Sequence, residues 1–261
     1  MIEVCSFHEG TLPLLVSVPH DGCHIPEVIR ERMTPAALAL PDTDWHVSEL
    51  YDFARDMGAS MIVANYSRYV VDLNRPAGDE ALYSGQVATG LCPEFTFGGE
   101  PIYRAGGVSS EEKSHRVARY WRPYHDTIAS ELARLRAKHG VALLWDAHSI
   151  ASSVPRLFEG QLPILNIGTN GGSSCSASIA AAARGVAEAS RYSWVLDGRF
   201  RGGHITRHYG RPDENIHAVQ LELAQRAYMD EQTVVFDRAR TSGLVTVLRS
   251  MLEGCLQAAT P

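Results

Sequence analysis

Val141-Ala142-Leu143-Leu144-Trp145-Asp146-Ala147-His148-Ser149 is the stretch on which the reading of this chain turns. Its apolar half, Val141 to Trp145, reads as a buried central strand. Its polar half delivers Asp146 and His148 at the strand exit. The Asp-x-His spacing puts both side chains on one face, where Asp146 can orient the imidazole. The plainer alternative is a buried hydrogen-bonded pair. A second apolar run, Leu12 to Val18, ends in Pro19-His20-Asp21-Gly22 and presents another histidine in the same manner. A third segment, Tyr69 to Leu73, reads as a strand that delivers Asn74-Arg75-Pro76.

Outward from these segments, strands alternate with helices. Ile25 to Met33 reads as a short helix, and helical spacing covers Val47 to Met57, ended by Gly58. Ala59 to Tyr66 is a strand. Ser109 or Ser110 can cap a helix running to Lys138-His139-Gly140, bent near Pro123. Pro163 to Ile167, Ser193 to Leu196 and Ala218 to Leu223 read as strands; Ala177 to Ser190 and about Phe236 to Leu256 as helices. Residues 77 to 107 have no period and read as a long loop. This pattern predicts one domain over residues 1–261, a three-layer α/β/α fold around a mixed central sheet. In such sheets ligands bind beyond the carboxyl ends of the strands, where both histidines fall.

Composition narrows the function. The chain has 261 residues, 45% hydrophobic and 21% charged, with net charge −6. That balance argues against a nucleic-acid partner. No apolar run reaches the roughly 18 residues a membrane span needs. No basic region followed by an apolar stretch suggests a secretory signal. Cys5, Cys23, Cys92, Cys175 and Cys255 are scattered and form no C-x-x-C pair, as expected of reduced thiols in a cytoplasm.

Two strand-end histidines point to a divalent metal, with zinc the expected ion. A hydrolytic zinc takes three protein ligands and leaves a place for water. Asp42-Thr43-Asp44-Trp45-His46 offers the third: Asp44 is the candidate with Asp42 in reserve, although either can instead cap the helix from Val47. His24 is a further candidate. Glu222, in Val219-Gln220-Leu221-Glu222-Leu223, is a carboxylate within an apolar strand. If buried, its pKa rises and suits a general base; strand alternation can equally send it to solvent with Gln220. Arg68 and Arg75 can grip a carboxylate or simply pair with Asp72. Arg201, His204, Arg207 and Tyr209 follow a Gly-rich turn and can supply a second anion contact, or form an exposed basic hairpin. A cysteine amidase built on Cys23 with His20 or His24 is a rival, as is a non-enzymatic small-acid binding protein.

Five segments in order resemble the N-formylglutamate amidohydrolase family: Ser17 to Gly22, Asp42 to His46, Asp72 to Pro76, Trp145 to Ser149, and Gly202 to Gly210. The resemblance implies release of formate from N-formyl-L-glutamate, the last step of one histidine degradation route. It also implies a fold like that of zinc carboxypeptidases and aspartoacylases. On that likeness Asn74 and Arg75 hold the substrate carboxylate, Arg68 polarises the carbonyl and Glu222 is the catalytic carboxylate. One departure stands out. Those enzymes draw two ligands from His-x-x-Glu, but the residue three after His20 is Cys23, so the carboxylate ligand must come from elsewhere. Another N-acyl amino acid amidohydrolase or a carboxypeptidase-like enzyme is the nearest alternative.

Overall fold

The computed structural model describes residues 2–80 and 89–260. In chain order the strands of the main sheet are β1 (Cys5–His8), β2 (Leu14–Val18), β3 (Ser60–Ala64), β4 (Ala142–Ile150), β5 (Leu165–Gly168), β6 (Trp194–Leu196) and β7 (Ile216–Ala224). They lie in the order β1-β3-β2-β4-β7-β5-β6. The pairs β3–β2, β2–β4, β4–β7 and β5–β6 are parallel, while β1–β3 and β7–β5 are antiparallel, so the sheet is mixed as expected.

The helices are α1 (Glu27–Arg30), α2 (Pro35–Leu38), α3 (Val47–Leu50), α4 (Phe53–Met57), α5 (Ser110–Arg116), α6 (Arg122–His139), α7 (Ala177–Ala189), α8 (His204–Tyr209) and α9 (Arg238–Ala259). They cover both faces of the sheet. Strand β4 shows why. Ala142 and Leu144 pack into one apolar layer with Tyr124, Ile128 and Leu132 of α6. Leu143, Trp145 and Ala147 pack into the other, with Ile179 and Ala183 of α7 and Leu244 and Leu248 of α9. A strand buried on both faces needs a continuous apolar run rather than alternation, and Val141 to Trp145 provides it.

The expected bend near Pro123 is a π-helical turn, Val117–Trp121, immediately before α6. Proline has no N–H to donate and its ring crowds the preceding turn, so the widened turn accommodates it. Ser109 caps α5 by accepting the Glu112 N–H at 3.1 Å.

Three expectations differ from the structure. Tyr69 to Leu73 is not a strand; it is an irregular buried turn. Its carbonyls are satisfied by a side chain: Arg116, 1% exposed, donates from Nη1 to the carbonyl oxygens of Val70 (2.9 Å) and Tyr69 (3.3 Å). The helix expected over Ile25 to Met33 is the single turn α1, and the one over Val47 to Met57 breaks into α3 and α4 around Tyr51 and Asp52. The Gly-rich stretch 198–210 contains α8. Of the long loop expected at 77–107, residues 81–88 lie outside the described residues; the rest is irregular, with isolated bridges pairing Phe95 with Pro101 and Tyr103 with Met33.

Candidate active site

Adjacent parallel strands β2, β4 and β7 end side by side, and the suspected chemical residues gather there. His20 lies just beyond β2. His148 and Glu222 are paired directly across β4 and β7. Asp44 is drawn in by its own backbone, whose N–H donates to the His20 carbonyl at 3.1 Å. His20, Asp44 and His148 are buried, and one potential ligand atom from each lies within 4.8 Å of the others.

The orientation of the two imidazoles is informative. His20 Nε2 lies 2.8 Å from Asp72 Oδ1, and His148 Nε2 lies 3.1 Å from Asp146 Oδ1. Both Nδ1 atoms face Asp44 Oδ2, at 3.7 Å from His20 and 3.0 Å from His148. A histidine that donates its far N–H to a carboxylate presents its other nitrogen as a lone pair, the arrangement behind metal-ligating histidines. His20 Nδ1 is buried without a hydrogen-bond partner among the described residues. Such an orphan is costly unless something occupies the space it faces. Two imidazole nitrogens and one carboxylate make a donor set suited to zinc or a similar divalent ion. The residues therefore fit a metal. Asp42 is turned away, accepting the Phe97 N–H at 2.8 Å. His24 packs edge-on against Tyr66 instead.

Charge in the cluster is balanced locally. Burial opposes ionisation of Asp44, yet His20 and His148 hold its carboxyl well below the usual range. Asp72 is likewise held low against burial by Arg68 and His20. Burial also disfavours a charged His148, but Asp146 and Asp44 raise its pKa well above the ordinary value. Glu222 goes the other way. Burial pushes it up to about 8, with His148 pulling against that. The strand does not send Glu222 to solvent; it is 7% exposed and lines the same cavity as the histidines. Gln220, also buried, accepts the Gly203 N–H at 2.7 Å, which turns its Nε2 toward Glu222 Oε2 at 3.5 Å.

Arg68 lines the cavity. Its Nη2 donates to Asp72 Oδ2 at 2.7 Å, its Nη1 lies 3.4 Å from Asp44 Oδ1, and its guanidinium stacks on Phe97. Arg75 also lines it, braced by Thr89 through Nε to the carbonyl (2.7 Å) and Nη2 to the hydroxyl (3.0 Å). Asn74 is buried in a clamp: its Oδ1 accepts the Ile205 N–H at 2.8 Å, and its Nδ2 lies 2.9 Å from His148 Nε2 and 3.3 Å from Asp146 Oδ2. The other expected substrate contacts are elsewhere. Tyr209 is buried, donating to the His125 carbonyl. His204 stands in a ring cluster with Trp121, His125 and His208. Arg207 Nε donates to the Gly202 carbonyl, and Arg201 is exposed. None of these four lines the cavity. Arg199, which no sequence signal singled out, does, together with Ile150, Leu157 and Phe200. Cys23 lies outside it, and loss of solvation together with the Asp21 carboxylate holds its thiol up at about 11. A nucleophilic cysteine needs the opposite shift.

Residues 12–229 match the N-formylglutamate amidohydrolase family. An N-formylglutamate deformylase of Pseudomonas aeruginosa is 54% identical over 259 residues, covering 98% of this chain and 97% of that protein. One of Pseudomonas putida is 51% identical over the same span, with the same coverage. Among solved structures, an N-formylglutamate amidohydrolase from Ralstonia eutropha superposes with a TM-score of 0.81 at 22% identity, over 99% of this chain and 97% of that one. A protein from Agrobacterium tumefaciens gives 0.76 at 16% identity, over 98% of this chain and 95% of that one. At these identities the two structures speak to the fold. On the full-length sequence matches, the chain belongs to the N-formylglutamate amidohydrolase family.

Proposed function

We propose that this protein hydrolyses N-formyl-L-glutamate to formate and L-glutamate, using one divalent metal, zinc foremost, held by His20 Nδ1, Asp44 and His148 Nδ1. The observation that carries the reading is the pair of Nδ1 atoms converging on Asp44 beside a buried Glu222. When bound, the cation supplies Lewis acidity, polarising the formyl carbonyl and acidifying a water molecule. With a cation there, the Glu222 pKa would fall from about 8 toward the working range of a general base. Glu222 takes the proton of the attacking water and returns it to the leaving amine. Gln220 orients that carboxylate. Arg68 stabilises the oxyanion that develops on the formyl oxygen and, through Asp72, keeps His20 in place. Arg75 pairs with the α-carboxylate together with Asn74, which also lines the cavity and whose carbonyl accepts from Arg75 Nη1 at 3.0 Å.

The same reading places the enzyme at the last step of one histidine degradation route, in the cytoplasm; the five unpaired cysteines support a reducing compartment. The test is a formate-release assay on metal-loaded protein with N-formyl-L-glutamate and N-formyl-L-methionine, paired with metal analysis. We expect the glutamate substrate to win by about a thousandfold in kcat/KM. Comparable values would leave a general N-acyl amino acid hydrolase as the better reading.

A further inference from the structure

The cavity has two parts of different chemistry. At its floor are the ionisable groups of β4 and β7. Ile150, Leu157 and Phe200 give the same lining an apolar part, and Arg199 lies in it as well. That part belongs to a small separate core in which Ile150, Val154, Leu162 and Ala224 pack with Leu157, Phe158 and Phe200. Arg199 is fastened to it. Its Nε donates to the Leu157 carbonyl at 2.8 Å, and its guanidinium lies 5.4 Å from the Phe200 ring centroid. Phe200 is in turn held edge-on by Phe158.

Three arginines line this cavity among the described residues: Arg68, Arg75 and Arg199. Arg68 sits between Asp72 and Asp44, so its charge is already matched inside the site. A substrate with two carboxylates brings two negative charges into a partly buried cavity, and each needs a counter-charge there. We infer that Arg199 recognises the side-chain carboxylate of the substrate, with Ile150, Leu157 and Phe200 contacting the methylenes between that carboxylate and the α-carbon. The inference rests on the proposed reaction and assigns its specificity. The site then selects N-acyl amino acids with an acidic side chain. Arg201 and Arg207, on the same Gly-rich stretch, are outside the recognition surface.

The test compares N-formyl-L-glutamate with N-formyl-L-glutamine, which has the same shape without the charge, in wild-type, Arg199→Met and Arg199→Lys enzymes. A site built to pair a charge rejects the neutral isostere strongly. Arg199→Met should lower the glutamate-to-glutamine ratio of kcat/KM by about a hundredfold, with Arg199→Lys between it and wild type. The Glu222→Gln enzyme, which cannot turn over quickly, gives the same answer by calorimetry: adding Arg199→Met should weaken N-formyl-L-glutamate binding but not N-formyl-L-glutamine binding. A wild-type ratio in Arg199→Met, or equal weakening of both ligands, overturns the assignment while leaving the reaction intact. A wild-type enzyme that prefers the neutral substrate overturns both.

Discussion

His148 and Glu222 occupy directly paired positions on the adjacent parallel strands β4 and β7. One is a histidine whose charge is favoured by Asp146 and Asp44; the other is a carboxyl whose charge is disfavoured by burial. A single rung of the sheet thus fixes an imidazole of the candidate metal site beside the group proposed for proton transfer.

Glu222→Gln should leave the fold and metal content unchanged and lower kcat by about 10²–10⁴, the range for a positioned general acid–base. Turnover with metal content measured on the same sample checks this. Near-normal turnover would move the proton-transfer role to another group.

The same substitution predicts a pH effect in metal-free protein. The Glu222 carboxyl ionises near 4.5 when unfolded and at about 8 when folded. Between those values the unfolded state has released a proton that the folded state keeps, so Glu222 costs stability increasingly as pH rises. Glu222→Gln removes that cost. It should therefore be more stable than wild type at pH 8, and nearly equal to it at pH 4. Denaturant melts at both values decide it; a constant difference would contradict the assignment.

Metal uptake should expel protons. Asp44 and Asp146, one on each ring nitrogen, favour the protonated form of His148, and a ligating imidazole must give that proton up. Calorimetry of zinc binding in buffers of different ionisation heat should show between one and two protons released near neutral pH, one from His148 and the rest from Glu222 as its pKa falls, with affinity falling as pH falls. His148→Ala should lose the metal altogether. Full occupancy in that variant would mean the ligand set is wrong.

Asp72→Asn should weaken metal affinity by about 10–100-fold without touching the ion, because His20 loses the carboxylate that fixes its ring. Competition with a chromogenic chelator measures it. Unchanged affinity would reduce Asp72 to a partner of Arg68 alone.

Arg75→Ala should reduce kcat/KM for N-formyl-L-glutamate and N-formyl-L-methionine alike, each by about a hundredfold, since both have an α-carboxylate. A loss confined to the glutamate substrate would place Arg75 on the side chain instead.

How much of this was legible in the chain depends on what each residue's neighbours announce. Strands β2, β4 and β7 are written as apolar runs, and the polar residues after or within them, His20, His148 and Glu222, stand out against that background. Tyr69 to Leu73 looks the same in sequence but is no strand, because its carbonyls are met by Arg116 from a helix more than forty residues away, and no local pattern records that. Strand β1 escapes notice because Ser6, Phe7 and His8 are exposed at the sheet edge, without an apolar face to give a period. Asp72 was visible only as a salt-bridge partner; its grip on His20 is purely tertiary. Arg201, His204, Arg207 and Tyr209 drew attention because they cluster, yet none lines the cavity: Arg201 is exposed ahead of α8, and the other three lie on that helix. Arg199, a lone arginine in a loop, carried no signal.

Gly203 has a consequence for how this enzyme can change. A β-carbon there would come within 2.4 Å of the Asn74 amide, and that amide also touches His148 and the start of α8. The loop after β6, which carries Arg199, is thereby keyed to the strand that carries His148 of the candidate metal site. Remodelling the loop toward a new substrate therefore disturbs the packing around His148. Lengthening or stiffening it at this point trades selectivity against the geometry of that site, whereas substitutions at Arg199 itself leave that joint untouched. New specificities in this fold are therefore more accessible through side-chain exchange at the rim than through loop grafting.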